Sequence, residues 1–195
     1  MAHQYSTRVL NAKLGAFPST TGASPKLQLW NDGGSGRPAN PAASATGTKI
    51  AEGTLPSTWL GTAASNLQSK AGTWTVTGLS AAGTGTNATY ARIVDSGGTN
   101  CDFQCAVHTE GASWATSHAY ALNDVVYAGG NVYICTTAGT SASSGNGPTG
   151  TGTGISDGTA VWSYVSDIGI GLENVNVSNG QTVTISQFDR SESNA

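Results

Sequence analysis

The sequence predicts an all-β protein: a jelly-roll-like β-sandwich with one short N-terminal helix and a small inserted β-module. Short segments in which apolar and polar residues alternate, separated by Gly, Pro and Asn, are typical of such sandwiches. Charged residues make up only 10% of the 195 residues, against about 25% in an ordinary globular protein. Residues 110–167 differ in composition from the rest of the chain, because aromatic residues cluster there around a long Gly/Ser/Thr stretch.

The first predicted element is a helix near the N-terminus. Ser6 or Thr7 serves as its N-cap, and Pro18 ends it at Phe17, because the residue before a proline disfavours helical backbone. A helix this short is marginal by itself, so we expect it to pack on a sheet or on a neighbouring subunit. Four apolar residues form the stripe that would make this contact: Val9, Leu10, Leu14 and Phe17.

Strands and connections follow in the order that the alternation gives them. Leu27 and Leu29 alternate with other residues in PKLQLWN, and residues 31–47 form a Gly/Pro/Ala/Ser loop that is long enough to make contacts of its own. Pro56 opens a predicted helical turn in PSTWL. TWTVTGL and ATYARIVD are the next strands, and the second places Tyr90 and Arg92 on one face.

The clearest strand is NCDFQCAV, and a hairpin closes the sequence. Cys101 and Cys105 would share one face of this strand with Phe103, roughly 13 Å apart and too far from each other for a disulfide bond. Near the C-terminus, LENVNVS and QTVTISQF are joined by Asn179-Gly180, a pair that strongly favours a tight hairpin turn.

The predicted domain organisation is discontinuous. Residues 1–109 and 168–195 form the sandwich, and residues 110–167 form the inserted β domain, with a loop between Tyr133 and Trp162. No apolar run approaches the roughly 20 residues of a membrane span. The net charge of −3 favours neither a nucleic acid nor an anionic membrane as a partner. An odd number of cysteines fits a reduced place of synthesis.

Motifs typical of catalysis or cofactor binding are weak. Residues 145–150 match G-x-G-x-x-G, but they neither end a periodic strand nor open a helix, and Pro148 interrupts them. His108 and Glu110 have a spacing that a metal site can use, although a solvent-exposed hinge is the simpler interpretation. We therefore expect no enzymatic activity, no cofactor and no metal.

The inserted segment resembles a known family of sugar-binding modules. Its pattern W-x5-Y-x3-D-V-V-Y-x2-G-x2-Y over residues 114–133, followed by a distal Trp, is similar to the small chitin-binding type (family 5/12) carbohydrate-binding modules, with Asn123 where that family usually has Gly. The resemblance implies that rings stack on a sugar. The alternative is that most of these rings form the core of a module too small to have another. The candidate glycan-contacting residues are Trp114, Tyr120, Tyr127 and Trp162.

The rest of the chain resembles a family of small virion-associated proteins encoded in the structural modules of tailed bacteriophages. The LNAKL helix (10–14), the LPSTWL turn (55–60) and the closing strands FQCAV (103–107) and NVNVSNGQTVTI (174–185) carry the resemblance. It covers roughly residues 5–107 and 168–195. Gly15 stands where such proteins often have an acidic residue.

This resemblance implies a structural protein of the virion, synthesised in the cytoplasm of the bacterial host. The first hypothesis is a capsid decoration (cement) protein that binds the outer surface of the head and displays the inserted module. Its partners would be the major capsid protein and copies of itself, contacted through the helix stripe and the loop 31–47. The alternative is a tail or fibre component whose inserted module binds glycans of the host surface.

Overall fold

The computed structural model describes residues 4–109, 112–122, 124–129, 131–164 and 169–192. Glu110, Asn123 and Gly130, which the motifs above include, lie outside these residues. The chain divides into two compact units, Met1–Val107 with Gly169–Ala195, and His108–Ile168. We call the first the barrel unit and the second the inserted unit. In the described residues, no helix is both long enough and apolar enough to cross a membrane.

The described chain contains one α-helix, eighteen strands and one 3-10 turn, at Ser80–Ala82. The helix and the first seven strands are α1 (Thr7–Thr21), β1 (Lys26–Asn31), β2 (Thr48–Thr54), β3 (Leu67–Ser69), β4 (Trp74–Gly78), β5 (Thr86–Asn87), β6 (Tyr90–Val94) and β7 (Cys101–Thr109). The other strands are β8 (Ala112–Ser113), β9 (Ala119–Tyr120), β10 (Val125–Ala128), β11 (Asn131–Thr137), β12 (Gly139–Thr140), β13 (Ile155–Asp157), β14 (Ala160–Tyr164), β15 (Ile170–Leu172), β16 (Asn176–Val177), β17 (Thr182–Gln187) and β18 (Asp189–Ser191).

Seven strands of the barrel unit close into a ring, in the order β1, β2, β4, β17, β15, β7 and β6. Leu27 of β1, for example, pairs with Gly53 of β2 on one side and with Ile93 of β6 on the other. The predicted all-β class with one helix near the N-terminus is therefore confirmed. The finer prediction of a jelly-roll sandwich is not confirmed, because these strands form one closed sheet, whereas a sandwich packs two separate sheets face to face.

Aromatic rings fill one part of the barrel core. The rings of Trp59 and Trp74 lie 5.8 Å apart, and Trp74 lies 5.2 Å from Phe188. Phe17 of α1 meets Trp59 edge-to-face at 5.1 Å. Such ring pairs stabilise a core beyond the area that they bury. The helix therefore packs on its own barrel, one of the two docking modes that its apolar stripe predicts.

The helix continues beyond the predicted end. It includes Pro18 and ends at Thr21, so the prediction that it stops at Phe17 is wrong. A proline in the last turn removes a single backbone donor, and the turn is still closed because the N–H of Gly22 donates to the carbonyl of Pro18 at 3.0 Å. Gly22 has a φ of +84°, a conformation that glycine adopts without a steric penalty.

The predicted helical turn in PSTWL is absent, because tertiary contacts use its backbone instead. Ser57 and Thr58 form a bend, and Leu60 makes an isolated antiparallel β-bridge with Lys70. The carbonyl of Trp59 accepts hydrogen bonds from the indole of Trp74 at 3.1 Å and from the N–H of Ala71 at 2.8 Å. Trp59 is 1% exposed and Leu60 is 5% exposed. The burial of these two side chains therefore determines the backbone conformation here, in place of a helical turn.

The predicted C-terminal hairpin is also wrong in its pairing. Strand β16 pairs with β5, whereas β17 pairs with β15 and β4. The N–H groups of Asn179 and Gly180 donate to the carbonyls of Gly83 and Gly78 at 2.9 Å. The Asn-Gly pair therefore forms a turn, as expected, but the turn is held against the segment after β4.

The inserted unit contains a five-stranded sheet, in the order β13, β14, β11, β10 and β8, and a separate pair formed by β12 and β9. Strands β12 and β13 lie within the segment that was predicted to be a loop, so this prediction is wrong at Gly139–Thr140 and Ile155–Asp157. These two short strands have no alternating apolar pattern of their own, and they form because each pairs with another strand. The core of the inserted unit contains Tyr120, Val126, Ala128, Tyr133, Cys135, Ala160 and Trp162.

The chain leaves and re-enters the barrel unit at adjacent points. Strands β7 and β15 are neighbours in the ring. A Cβ atom on Gly169 would collide with the carbonyl oxygen of Ala106, so the two backbones are in direct contact there. Only glycine permits this approach, because every other residue carries that atom. The inserted unit is thus connected to the barrel unit through two neighbouring chain segments.

Candidate functional site

A row of polar side chains crosses one face of four neighbouring strands in the barrel unit. Gln28 of β1 pairs with Glu52 of β2 and with Arg92 of β6, and Arg92 pairs with Gln104 of β7. Directly paired residues lie on the same face of a sheet. This face is opposite to the one that carries the core residues Leu27 and Leu29 of β1.

The loop between β1 and β2, residues 32–47, lies over this row; we call it the cover loop. Arg92 Nη2 donates to the carbonyl of Ala43 at 2.9 Å and also to that of Pro41. Tyr90 Oη donates to the carbonyl of Thr46 at 2.7 Å, and Gln104 Nε2 donates to that of Pro38 at 2.6 Å. The cover loop is therefore held to β6 and β7 by side chains, although it has no helix or strand of its own.

Arg92 is the central residue of this arrangement. It is only 6% exposed, and its Nε donates to Cys101 Sγ at 3.0 Å. Its acceptors are thus a thiol and two carbonyls, all of them neutral groups. Among the described residues, the side-chain ion pairs are Lys13–Glu192 and Lys49–Glu52, and neither involves Arg92. Within the same residues, Nη1 of Arg92 donates no hydrogen bond.

A groove of about 480 Å³ lies between the cover loop and the strands. Trp30 forms part of its wall, and both the edge and one face of the indole are fixed. Its Nε1 donates to Gln28 Oε1 at 3.2 Å, and its ring stacks on Tyr90 with 6.2 Å between the centroids. The groove is lined by Gln28, Trp30, Pro41, Ala42, Ala43, Ser44, Ala45, Lys49, Arg92, Val94, Gly98, Thr99 and Cys101.

Two carboxylates near the groove are held in their ionised form. Burial alone would raise the pKa of Glu52, but hydrogen bonds from Lys49 at 2.6 Å and Gln28 at 2.9 Å, together with the charge of Lys49, outweigh it and lower that pKa. Hydrogen bonds from the N–H of Thr99 and the side chain of Asn100 lower the pKa of Asp95. Both carboxylates therefore already have hydrogen-bond donors of their own.

Cys101 lies at the groove and not on the face of β7 that the alternation predicts it to share with Phe103 and Cys105. The pairing of β6 with β7 shifts between Ile93 and Val94, so that Phe103 pairs with Ile93 but Cys101 pairs with Val94. Such a bulge turns the following side chain to the opposite face. Cys105 remains in the core, and none of the three cysteines, all of them among the described residues, forms a disulfide bond. Alternation alone cannot reveal a bulge, which is why this prediction failed.

The four candidate glycan-contacting residues do not form one exposed platform. Trp162 is fully buried and Tyr120 is 6% exposed, with their rings 4.9 Å apart in the core of the inserted unit. Trp114 is half-buried; its Nε1 donates to Asp157 Oδ2 at 2.6 Å. The backbone at Gly147 lies against the Trp114 ring so closely that a Cβ atom would not fit. Tyr127 is also half-buried.

The four candidate anchoring residues are largely covered within the chain. Leu10 is 2% exposed and Leu14 is fully buried, while Val9 and Phe17 are half-buried. The guanidinium of Arg190 lies 4.3 Å from the centre of the Phe17 ring, and burial lowers the pKa of Arg190. An anchoring contact through α1 would therefore have to use the opposite, exposed face of the helix.

Other motifs from the sequence have no geometry that suggests chemistry. Residues 145–150 consist of bends and irregular backbone, with positive φ at three glycines, and they open no helix. Burial raises the pKa of the Cys135 thiol, whose Sγ lies 3.1 Å from the carbonyl of Thr137. Within the described ranges, no three His, Cys, Asp or Glu side chains are placed to hold a metal ion.

Sequence reasoning missed the groove, although one signal pointed to it. The charged Arg92 stands in the middle of the apolar strand YARIV, and an unpaired cation there calls for an acceptor. The acceptors are cover-loop carbonyls, and a sequence pattern does not show where a loop folds back.

No protein-family model, no curated protein and no solved structure matches the chain.

Proposed function

We propose that the chain is a structural protein of a tailed-bacteriophage virion, in which the barrel unit is a capsid decoration domain and the inserted unit is the module that it displays. The resemblance of the sequence to virion-associated proteins supports the class. The direct contact between Ala106 and Gly169 is the observation that carries the division of roles. An insertion whose two ends are adjacent adds a second domain without disturbing the fold that presents it.

The construction of the barrel unit supports a role that needs resistance to unfolding. The ring formed by β1, β2, β4, β17, β15, β7 and β6 leaves none of these strands as an open edge, so copies packed at high density cannot join by strand addition. The cover loop is tied down at Pro41, Ala43 and Thr46, which limits its access to proteases.

The proposed partners are the major capsid protein and further copies of this chain. The exposed face of α1 includes Arg8, Ala12 and Ala16, and the exposed part of the cover loop includes Ser35 and Arg37. A stable contact between such surfaces buries roughly 1,200 Å² or more. Self-association about a symmetry axis of the lattice would repeat the same contact on each copy.

The stoichiometry of the chain in purified particles tests this proposal. A decoration protein occurs in a fixed ratio to the major capsid protein, and gold-labelled antibodies against it cover the head. Quantitative mass spectrometry of purified particles measures the ratio, and electron microscopy of labelled particles gives the location. A handful of copies confined to the tail, or none in the particle, contradicts the decoration role.

The same particles distinguish the alternative of a glycan-binding tail or fibre component. In that case label is confined to the tail, and the purified chain is retained on a chitin or cell-wall glycan column. Tyr127→Ala would then reduce retention, because Tyr127 is a half-buried ring of the inserted unit, whereas Tyr120 and Trp162 lie in its core. Label over the head together with no retention supports decoration alone.

A further inference from the structure

The groove under the cover loop has the features of a ligand site on the barrel unit. We propose that it binds an acidic saccharide, with the carboxylate of the sugar on the guanidinium of Arg92 and a face of the sugar ring against Trp30. This site is separate from the candidate rings of the inserted unit, and the proposal does not depend on a role in a virion.

The first argument is the buried charge of Arg92. A guanidinium that is 6% exposed loses most of its hydration, and neutral acceptors return only part of that free energy. Ala43, Pro41 and Cys101 supply such acceptors and no negative charge. A carboxylate matches the geometry of the guanidinium, neutralises its charge and accepts the hydrogen bonds that Nη1 has to offer.

The second argument is that the nearby carboxylates are already used. Glu52 accepts hydrogen bonds from Lys49 and Gln28, and Asp95 accepts them from Thr99 and Asn100. Neither makes an ion pair with Arg92 among the described residues. The negative charge that the site lacks is therefore most simply supplied by a ligand.

The third argument concerns the wall of the groove. The indole of Trp30 is fixed by Gln28 at its edge and by Tyr90 on one face, so it is a rigid surface for the apolar face of a pyranose ring. Gln28 and Lys49 also line the groove and carry polar groups suited to hydroxyls. The volume of about 480 Å³ lies within the range of small-ligand sites, roughly 300–1,000 Å³.

A purely structural role of Arg92 explains only part of the arrangement. Holding the cover loop accounts for the two bonds of Nη2. It does not account for a groove of this volume beside the residue, or for Nη1, which has no partner in the described chain. A loop that served only to cover the polar row would also pack on Trp30 and leave no groove beside Arg92.

Binding of matched small ligands to the full chain tests the proposal. Methyl β-D-glucuronoside and methyl β-D-glucoside differ only in the carboxylate, and acetate carries the carboxylate without the ring. By titration calorimetry or ligand-observed NMR, we expect the glucuronoside to bind about tenfold or more tighter than either control. Equal affinity for the glucuronoside and the glucoside removes the role of Arg92. Equal affinity for the glucuronoside and acetate removes the role of Trp30. Either result overturns the proposal.

Two matched variants place the ligand in the groove. Ser44→Trp puts a large side chain at a groove-lining position, and Ser35→Trp puts the same side chain at an exposed position of the same loop outside the groove. We expect the first to abolish glucuronoside binding and the second to leave it unchanged. Binding that survives Ser44→Trp overturns the assignment to this groove. Arg92→Lys keeps the charge but loses the planar guanidinium, and it should weaken glucuronoside binding about tenfold. If this variant fails to fold, the comparison of Ser44→Trp with Ser35→Trp still decides whether the ligand binds in the groove.

Discussion

Replacing Leu14 by alanine tests whether α1 is an integral part of the barrel unit. Leu14 is fully buried, and α1 lies beside β3. Removing the outer carbons of a buried leucine costs about 3 kcal/mol, from the lost burial and the cavity that remains. In a unit of this size, a loss of about 3 kcal/mol lowers the melting temperature by roughly 10 °C.

Leu67→Ala is the matched control, because Leu67 of β3 is 46% exposed and the substitution removes the same atoms. Its cost should stay within about 0.5 kcal/mol. Differential scanning calorimetry of the isolated chain, supported by urea titration, measures both variants. If Leu14→Ala destabilises the isolated chain by no more than Leu67→Ala does, the helix is not docked on its barrel. The stripe would then be free for a neighbouring subunit, the other docking mode that the sequence allows.

Two further predictions concern the junction and the polar row. Gly169→Ala should destabilise the barrel unit by about 1–3 kcal/mol, because the new methyl group collides with the carbonyl of Ala106. In contrast, Gly15→Ala in α1 meets open space and should stabilise it by about 0.8–1 kcal/mol. A Gly169→Ala melting curve that matches the wild type would show that the two segments are not in contact. The pKa of Glu52 is lowered in the folded chain, so its ionised form contributes stability above its ordinary pKa, and this contribution is lost as the pH falls through the lowered value. As the pH is lowered from neutral to well below 4, the urea midpoint should therefore fall further in the wild type than in Glu52→Gln; equal falls would contradict the role of the Lys49 and Gln28 hydrogen bonds.

The sequence was sufficient for features that depend on local periodicity. Leu27 and Leu29 face the core, and Tyr90 and Arg92 share the opposite face, as alternation predicts. Turn-forming residues also predicted the loop that follows β1. These features need only the two-residue period of a strand and the conformational preferences of Gly and Pro.

Features that depend on distant partners could not be predicted in this way. Closure of the ring requires β1 to pair with β6 and β15 to pair with β7, and no local pattern encodes which strands meet. Cys101 changed face because of a shift in register, and Pro18 stayed within the helix because one lost hydrogen bond is a small cost in a docked last turn. The groove required three separate segments to meet at Arg92.

The paired connection at Ala106 and Gly169 has a consequence for how long the inserted unit stays attached. A domain joined by one linker is lost when a single peptide bond in that linker is cut. Here the polypeptide passes out along β7 and comes back along β15, and these two strands are neighbours in the ring. One cut within residues 110–167 therefore leaves both pieces secured by the folded ring, and detachment requires two separate cuts or the unfolding of the ring itself.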